Sequence, residues 1–137
     1  MKAANAVAGA FVATLFAAGT AAACGEQITG ATRHIESASY EIVFKSIPGP
    51  IETGKHFSLD FAVCPRGSAQ QPDAVRVDAV MPEHRHGMNY RPVVVARGGG
   101  LYRADGLMFH MPGRWELRFD VVTSTGTERL PAATQLE

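Results

Sequence analysis

The feature that most constrains the fold is a strict alternation in the segment HFSLDFAV, residues 56–63. Phe57, Leu59, Phe61 and Val63 occupy every second position, and mainly polar residues fill the positions between them. Because successive side chains of a β-strand point to opposite sides, this pattern indicates a strand with one face buried in a core.

The same alternation returns in short segments that turn residues separate. About seven strands are predicted, and no segment predicts an amphipathic helix, so the chain is expected to be all-β, with two antiparallel sheets packed face to face. The further strands are predicted within 39–47, 75–82 and 113–123, in a hairpin over 92–109 that turns at residues 98–100, and near 128–130. Their predicted inward residues are Tyr40, Ile42, Phe44, Val75, Val77, Ala79, Met81, Trp115, Leu117, Phe119 and Val121. The final residues, PAATQLE, are predicted to fray.

The first 23 residues are predicted to be an export signal. Lys2 is followed by an apolar run rich in alanine, and Ala21 and Ala23 fit the small residues of a cleavage site. A transmembrane anchor is disfavoured because the run is short and small polar residues follow it at once. The predicted mature chain is a single β-sandwich domain over residues 24–137, with its core at about 34–130, in the periplasm or otherwise exported.

Both cysteines, Cys24 and Cys64, remain after the predicted cleavage. In an oxidising compartment an even pair is typical of a disulfide, which would tie the start of the mature chain to the end of a strand. The alternative is a membrane-anchored lipoprotein that carries an acyl group on Cys24, although the residues before it lack the bulky aliphatic side chain usual in such signals. The acylated form would leave Cys64 without a partner.

The charge balance excludes one class of partner. The whole chain has a formal net charge of zero, and removal of Lys2 leaves −1. Such a chain lacks the excess of basic residues that attracts nucleic acids and anionic membranes, so neither is predicted as a partner. Membrane association is expected only if Cys24 carries lipid.

Methionine and histidine are concentrated in two predicted loops. All four methionines of the mature chain and three of the five histidines lie within residues 81–111. The segment MPEHRHGM carries His84, His86 and Met88, and the segment LMFHMPG carries His110 and Met111. Loops at one end of an antiparallel sandwich gather together, so the two segments are predicted to meet.

These five residues form the predicted metal site, with copper as the predicted ion, because thioether sulfur and imidazole nitrogen suit Cu(I). His84 and His86 would share one side of an extended backbone, and Gly87 permits a bend that returns Met88 toward them. Zinc is the alternative ion if Glu83 contributes a carboxylate.

Other soft or aromatic side chains are predicted to have structural roles. Met81 and Met108 are in phase with apolar strand faces, so both are predicted to fill the core. His34 and His56 are predicted to be ordinary surface or half-buried residues. Trp115 is predicted to belong to the core and is a candidate wall of the metal site.

Three motifs point to a known family. The segments FSLDFAVCP, MPEHRHGMNYRP and GLMFHMPGRWELRFDV, together with the export signal, resemble the YtkA-like proteins, which are related to the FixH family. The resemblance covers about residues 34–125. It implies an exported bacterial domain with an immunoglobulin-like or cupredoxin-like fold, and an accessory role in copper handling or oxidase assembly.

A looser resemblance is to periplasmic Cu(I) chaperones that bind copper through a His/Met site. In those proteins a methionine is followed by 21 residues and then by His-x-Met, and here 21 residues separate Met88 from His110. Met111 stands one place early for that pattern. The histidine expected further upstream falls on Val77, which cannot bind metal.

Two functions are predicted from these patterns. The first is an exported copper-binding accessory protein that exchanges Cu(I) or Cu(II) with an envelope cuproprotein or an oxidase assembly factor. The second is a metal-free interaction module, in which Tyr90 and Arg91 of a charged loop contact another envelope protein. Catalysis is not predicted, because no Ser-His-Asp or Cys-His arrangement is suggested, and a blue-copper site would need a thiolate beside its histidines.

The predicted processing can be checked by the intact mass of protein isolated from the cell envelope. The chain is expected to begin at Cys24 and to weigh less than its reduced form by a pair of hydrogen atoms, because the two thiols are joined. A mass raised by acyl chains would support the lipoprotein instead. A chain that retains residues 1–23 would contradict the export prediction.

Overall fold

The computed structural model describes residues 21–137, which form nine β-strands in two antiparallel sheets. The prediction of an all-β sandwich is therefore confirmed. Most of the predicted export signal lies outside the described residues. Within residues 21–137, no helix has the length and apolar character needed to cross a membrane. The strands are β1 (Arg33–Glu36), β2 (Tyr40–Ile47), β3 (His56–Pro65), β4 (Ala74–Met81), β5 (His86–Gly87), β6 (Val93–Gly98), β7 (Leu101–Met108), β8 (Gly113–Thr123) and β9 (Gly126–Leu136).

The two sheets pack through their apolar faces. One sheet has the strand order β1-β2-β3-β7-β6, and the other has the order β5-β4-β8-β9. Phe119 of the second sheet meets Phe44 and Phe61 of the first, with ring centroids 5.1 and 5.3 Å apart. The inward residues predicted for β2, β3, β4 and β8 are all buried, because each strand presents alternate side chains to the opposite sheet.

The alternation underestimates the extent of the sheets. It predicts neither β1 nor β5, and it ends the last strand near residue 130, whereas β9 pairs with β8 as far as Leu136. The predicted fraying of the tail is wrong, because Ala132 and Leu136 are buried in the core. The pattern is weak there because the buried alanine is small and Pro131 interrupts it. A proline is tolerated at this point since β9 is an edge strand.

The two methionines predicted to fill the core have different positions. Met81 is 1% exposed and belongs to the core, as predicted. Met108 does not, because Leu107 and Phe109 on either side of it are the buried residues. Met108 is half-buried and pairs with His56, which is exposed at the start of β3.

A β-bulge in β7 causes this change of phase. The register with β3 shifts between Phe57 and Leu59, so that β7 has one more residue than β3 over this stretch. Gly106 has a φ of 88°, a backbone conformation that glycine adopts most readily. The Ser58 hydroxyl donates to Asp105 Oδ1 at 2.6 Å. This hydrogen bond is the largest of the causes that lower the pKa of Asp105. The hydrogen bond and the charge of Arg103 lower it further.

The predicted disulfide is confirmed between Cys24 and Cys64, whose Cα atoms are 5.9 Å apart. Cys64 lies near the end of β3, whereas His56 begins that strand, so the disulfide and the loop after Met81 occupy opposite ends of the sandwich. A sulfur in this bond is not available to carry an acyl group. The disulfide thus closes the end of the sandwich that is remote from the histidine and methionine residues.

Removal of the disulfide is expected to lower the free energy of unfolding by about 2–4 kcal/mol, because the bond restricts the unfolded chain across a separation of 40 residues. The test is urea unfolding of the Cys24→Ala/Cys64→Ala variant beside the oxidised wild type. Reduced wild-type protein is the matched control, and its unfolding midpoint should equal that of the double variant. Identical unfolding midpoints for the oxidised protein and the variant would contradict a stabilising role.

Candidate metal centre at one end of the sandwich

The loop after β4 is a short β-hairpin that directs His86 toward the core. Met81 pairs with His86 and Val80 pairs with Gly87, so residues 82–85 form the turn. Cross-strand partners in an antiparallel pair share one face of the sheet. His86 therefore lies on the same inward face as the buried Met81 and is itself half-buried.

The turn places His84 differently from His86. The His84 N–H donates to the Met81 carbonyl at 3.2 Å, and Arg85 has a φ of 53°, which is unusual for a residue other than glycine. This backbone reverses the chain between the two histidines. His84 is consequently exposed at the tip of the hairpin, with its ring centroid 5.7 Å from that of His86.

The second loop, between β7 and β8, is held by buried contacts. The ring of Phe109 stacks on Trp115 with centroids 4.6 Å apart and planes 7° from parallel. Trp115 Nε1–H donates to the Met111 carbonyl at 3.0 Å, and the Gly54 N–H donates to the Phe109 carbonyl at 2.8 Å. His110 lies between these fixed points, so its backbone position is set by the core.

The start of β8 lies against the Met81 side chain at the base of the hairpin. Gly113 has a φ of 123°, and a Cβ atom placed there would lie 2.8 Å from the Cε atom of Met81. The end of the flexible Met81 side chain would have to shift to admit such a Cβ atom. Glycine is favoured here mainly by its backbone conformation.

His86 and His110 meet beside Trp115. Their ring centroids are 5.3 Å apart, and they lie 6.1 and 5.4 Å, respectively, from the indole ring, both nearly edge-on to it. The prediction that the two loops converge is thus confirmed. Trp115 forms a wall of the cluster, as the sequence suggested.

Two imidazole nitrogens in this cluster are buried without a hydrogen-bond partner. They are His86 Nε2 and His110 Nδ1, and the only other such side-chain atom in residues 21–137 is Thr53 Oγ1, one residue before Gly54. Buried polar atoms are normally paired, so an unpaired nitrogen requires an explanation. Imidazoles that bind one metal ion at about 2.0 Å have ring centroids within about 6.3 Å of each other, and the observed 5.3 Å fits this limit.

The methionines of the predicted site are close to the two histidines along the chain, with Met88 two residues after His86 and Met111 next to His110. The Met88 N–H donates to the Ala79 carbonyl at 3.3 Å, which continues the ladder of β5 and puts Met88 on the same inward face as His86. Met88 and Met111 are both partly buried against the core. Within residues 21–137, no group of three or more His, Cys, Asp and Glu side chains is arranged to hold a metal ion. Metal binding by the five predicted residues stays a prediction.

Sequence reasoning missed Thr53 and the contact between His56 and Tyr90. Thr53 lies in a turn with no motif of its own, and only the hydrogen bond from Gly54 to Phe109 shows that this turn adjoins the second loop. The rings of His56 and Tyr90 meet edge-on with centroids 4.9 Å apart. These residues are 34 positions apart in the chain, so only the pairing of the strands could reveal their contact.

Comparison with known proteins identifies the family. A family model described as YtkA-like matches residues 34–120, more than half of the chain. The chain belongs to the YtkA-like family. The matched region runs from β1 into β8, so the YtkA-like domain includes both loops of the candidate site. Searches of curated proteins and of solved structures found no match.

Loss of the indole N–H of this YtkA-like domain is expected to be destabilising. Trp115→Phe keeps an aromatic ring but leaves the Met111 carbonyl without its donor, which should lower the free energy of unfolding by about 1–3 kcal/mol, and the void left by the smaller ring adds to this loss. Urea unfolding followed by circular dichroism measures the change. Tyr102→Phe is the matched control, because it keeps the stacking on Phe61 and removes only a hydroxyl at a half-buried position. Equal stability of the two variants would contradict the role of the hydrogen bond.

Proposed function

We propose that this YtkA-like domain is an exported copper-binding accessory protein of the cell envelope. The copper ion is its cargo, held by His86 and His110, with Met88, Met111 and His84 as the further ligands. The observation that carries the proposal is the pair of buried imidazole nitrogens, which have no hydrogen-bond partner and whose rings lie 5.3 Å apart.

The composition of the cluster favours copper. Imidazole and thioether ligands without a carboxylate suit Cu(I), whereas Mg²⁺ and Ca²⁺ require oxygen ligands. Glu83, which would make zinc a competitor, is exposed on the hairpin turn. Phe109 and Trp115 provide an apolar wall that shields the imidazoles from water on the side of the core.

The position of the cluster suits transfer rather than catalysis. His86 and His110 are half-buried, and His84 is exposed at the tip of the same hairpin. An ion held by the inner pair therefore remains accessible to a partner through His84. The partner in this proposal is an envelope cuproprotein or an oxidase assembly factor that takes the ion by ligand exchange. In this proposal the domain acts in the periplasm, and Cys24 is held in the disulfide with Cys64 rather than by lipid.

A second function is a metal-free interaction module on another envelope protein. Three large apolar side chains are exposed close together on the edge strand β6 and the loop before it: Tyr90 at 44%, Val93 at 65% and Val95 at 51%. Exposed apolar residues on a strand edge favour contact with another protein. In this alternative the histidine cluster has a packing role only.

The copper proposal predicts that the inner histidines dominate the affinity. His86→Ala/His110→Ala should weaken Cu(I) binding by more than about 100-fold, since loss of a ligand exceeds the 10–100-fold cost of losing an outer partner of a ligand. The measurement is a Cu(I) titration against a competing chelator. Quenching of Trp115, the single tryptophan of the chain, gives a second readout at the site.

The matched control for this titration is His34→Ala, because His34 is exposed near Glu41 on β1 and β2 and should leave the affinity unchanged. Equal affinities of the wild type and of the inner double variant would overturn the copper proposal. A stable complex with an envelope protein that survives both a chelator and the histidine substitutions would establish the interaction module instead.

A further inference from the structure

The outer face of the five-stranded sheet carries a second pairing of soft ligands. His56 and Met108 are direct cross-strand partners in β3 and β7. Directly opposite residues of antiparallel strands have Cα atoms about 4.5–5.5 Å apart and project their side chains on the same side. An imidazole and a thioether are therefore adjacent on a face that the described core does not cover.

The bulge in β7 creates this juxtaposition. If β7 alternated regularly through Asp105 and Gly106, with no bulge, Met108 would point inward, as the sequence pattern predicts. With the bulge, Leu107 and Phe109 enter the core, and Met108 shares the outer face with His56. The Ser58 hydroxyl fixes the bulge through its 2.6 Å hydrogen bond to Asp105.

Tyr90, in the loop before β6, contacts the histidine of this pair. Tyr90 is 44% exposed, and its ring contacts that of His56 edge-on at 4.9 Å. An aromatic ring limits the access of water on one side of the imidazole, and its face attracts a cation placed within about 6 Å. Tyr90 is two residues after Met88, so this loop adjoins both the inner cluster and the outer pair.

We propose that His56 and Met108, beside Tyr90, form a second binding site for Cu(I) on the outer surface of the domain. Met108 and His110 are two residues apart, so their Cα atoms are at most about 7 Å apart. The outer pair is thus placed to receive an ion from the inner histidines, or to deliver one to them, by ligand exchange. The exchange rests on the proposed function of the inner site, whereas binding at the outer pair does not.

The test is the stoichiometry of metal binding by the full mature chain. Ag(I) is the probe, because it is a monovalent soft ion that does not change its oxidation state during the titration. Native mass spectrometry should find two ions bound to the wild type. His56→Gln/Met108→Leu should lose one of them, and His86→Ala/His110→Ala should lose the other.

Two controls separate loss of a ligand from loss of the fold. Met108→Leu conserves side-chain volume, and His56 is exposed, so circular dichroism should show an unchanged fold for the outer variant. His34→Gln removes another exposed histidine of the same sheet and should keep both ions. In the His86→Ala/His110→Ala variant, Ag(I) should still shift the NMR resonances of the His56 ring.

The outcomes distinguish this inference from the proposed function. If the outer variant binds as many ions as the wild type, the second site is wrong, even when the inner site holds copper. If only the outer substitutions remove an ion, the surface site stands and the proposed function of the inner histidines is overturned. If the second site stands, removal of Cu(I) from the inner site by a chelator should be slower in the outer variant.

Discussion

The packing of two apolar sheet faces is the interaction on which the rest of the structure depends. Phe119 joins the sheets at the centre through Phe44 and Phe61. At the end that carries the histidines, the same core continues into Trp115, which stacks on Phe109. Because Phe109 belongs to a loop rather than a strand, the core itself holds that loop in place. The rigidity that a ligand site needs therefore comes from hydrophobic burial.

The two ends of the sandwich are stabilised by different means. The disulfide stabilises one end of the sandwich, where Cys64 lies near the end of β3. At the other end, the backbone and indole hydrogen bonds around Phe109 and Met111 hold the second loop. The sulfur atoms of Met88 and Met111 at the histidine-rich end are thioethers, which cannot form a disulfide. A covalent cross-link and a cluster of imidazole and thioether groups thus occur together in one small domain.

The position of the candidate ligands suggests a graded exposure from the core outward. His86 and His110 are half-buried beside an apolar wall, whereas His84 and His56 are exposed on either side of them. Under the proposed function, an ion in the inner position would lose contact with water, and the outer imidazoles would offer sites of lower desolvation cost. The proposed transfer requires an ion that is both held and released, and this difference in exposure is consistent with it.

Local pattern and tertiary structure determined different parts of this protein. The sequence by itself determined the sandwich and its inward residues, because a period of two with turn residues between segments has few physical solutions. It also indicated the disulfide and the concentration of His and Met in two loops. The strands β1 and β5 were missed because four-residue and two-residue strands are too short for a period to be seen.

Only the tertiary structure decided which of these residues meet. The 5.3 Å contact of His86 with His110 depends on the hairpin turn at Arg85 and on the hydrogen bonds that hold the second loop. The outward position of Met108 depends on a bulge that adds one residue to β7. A single added residue reverses every later side chain of a strand, and such an irregularity is set by pairing with a neighbouring strand. Local alternation cannot report it, since the partner strand is distant in the sequence.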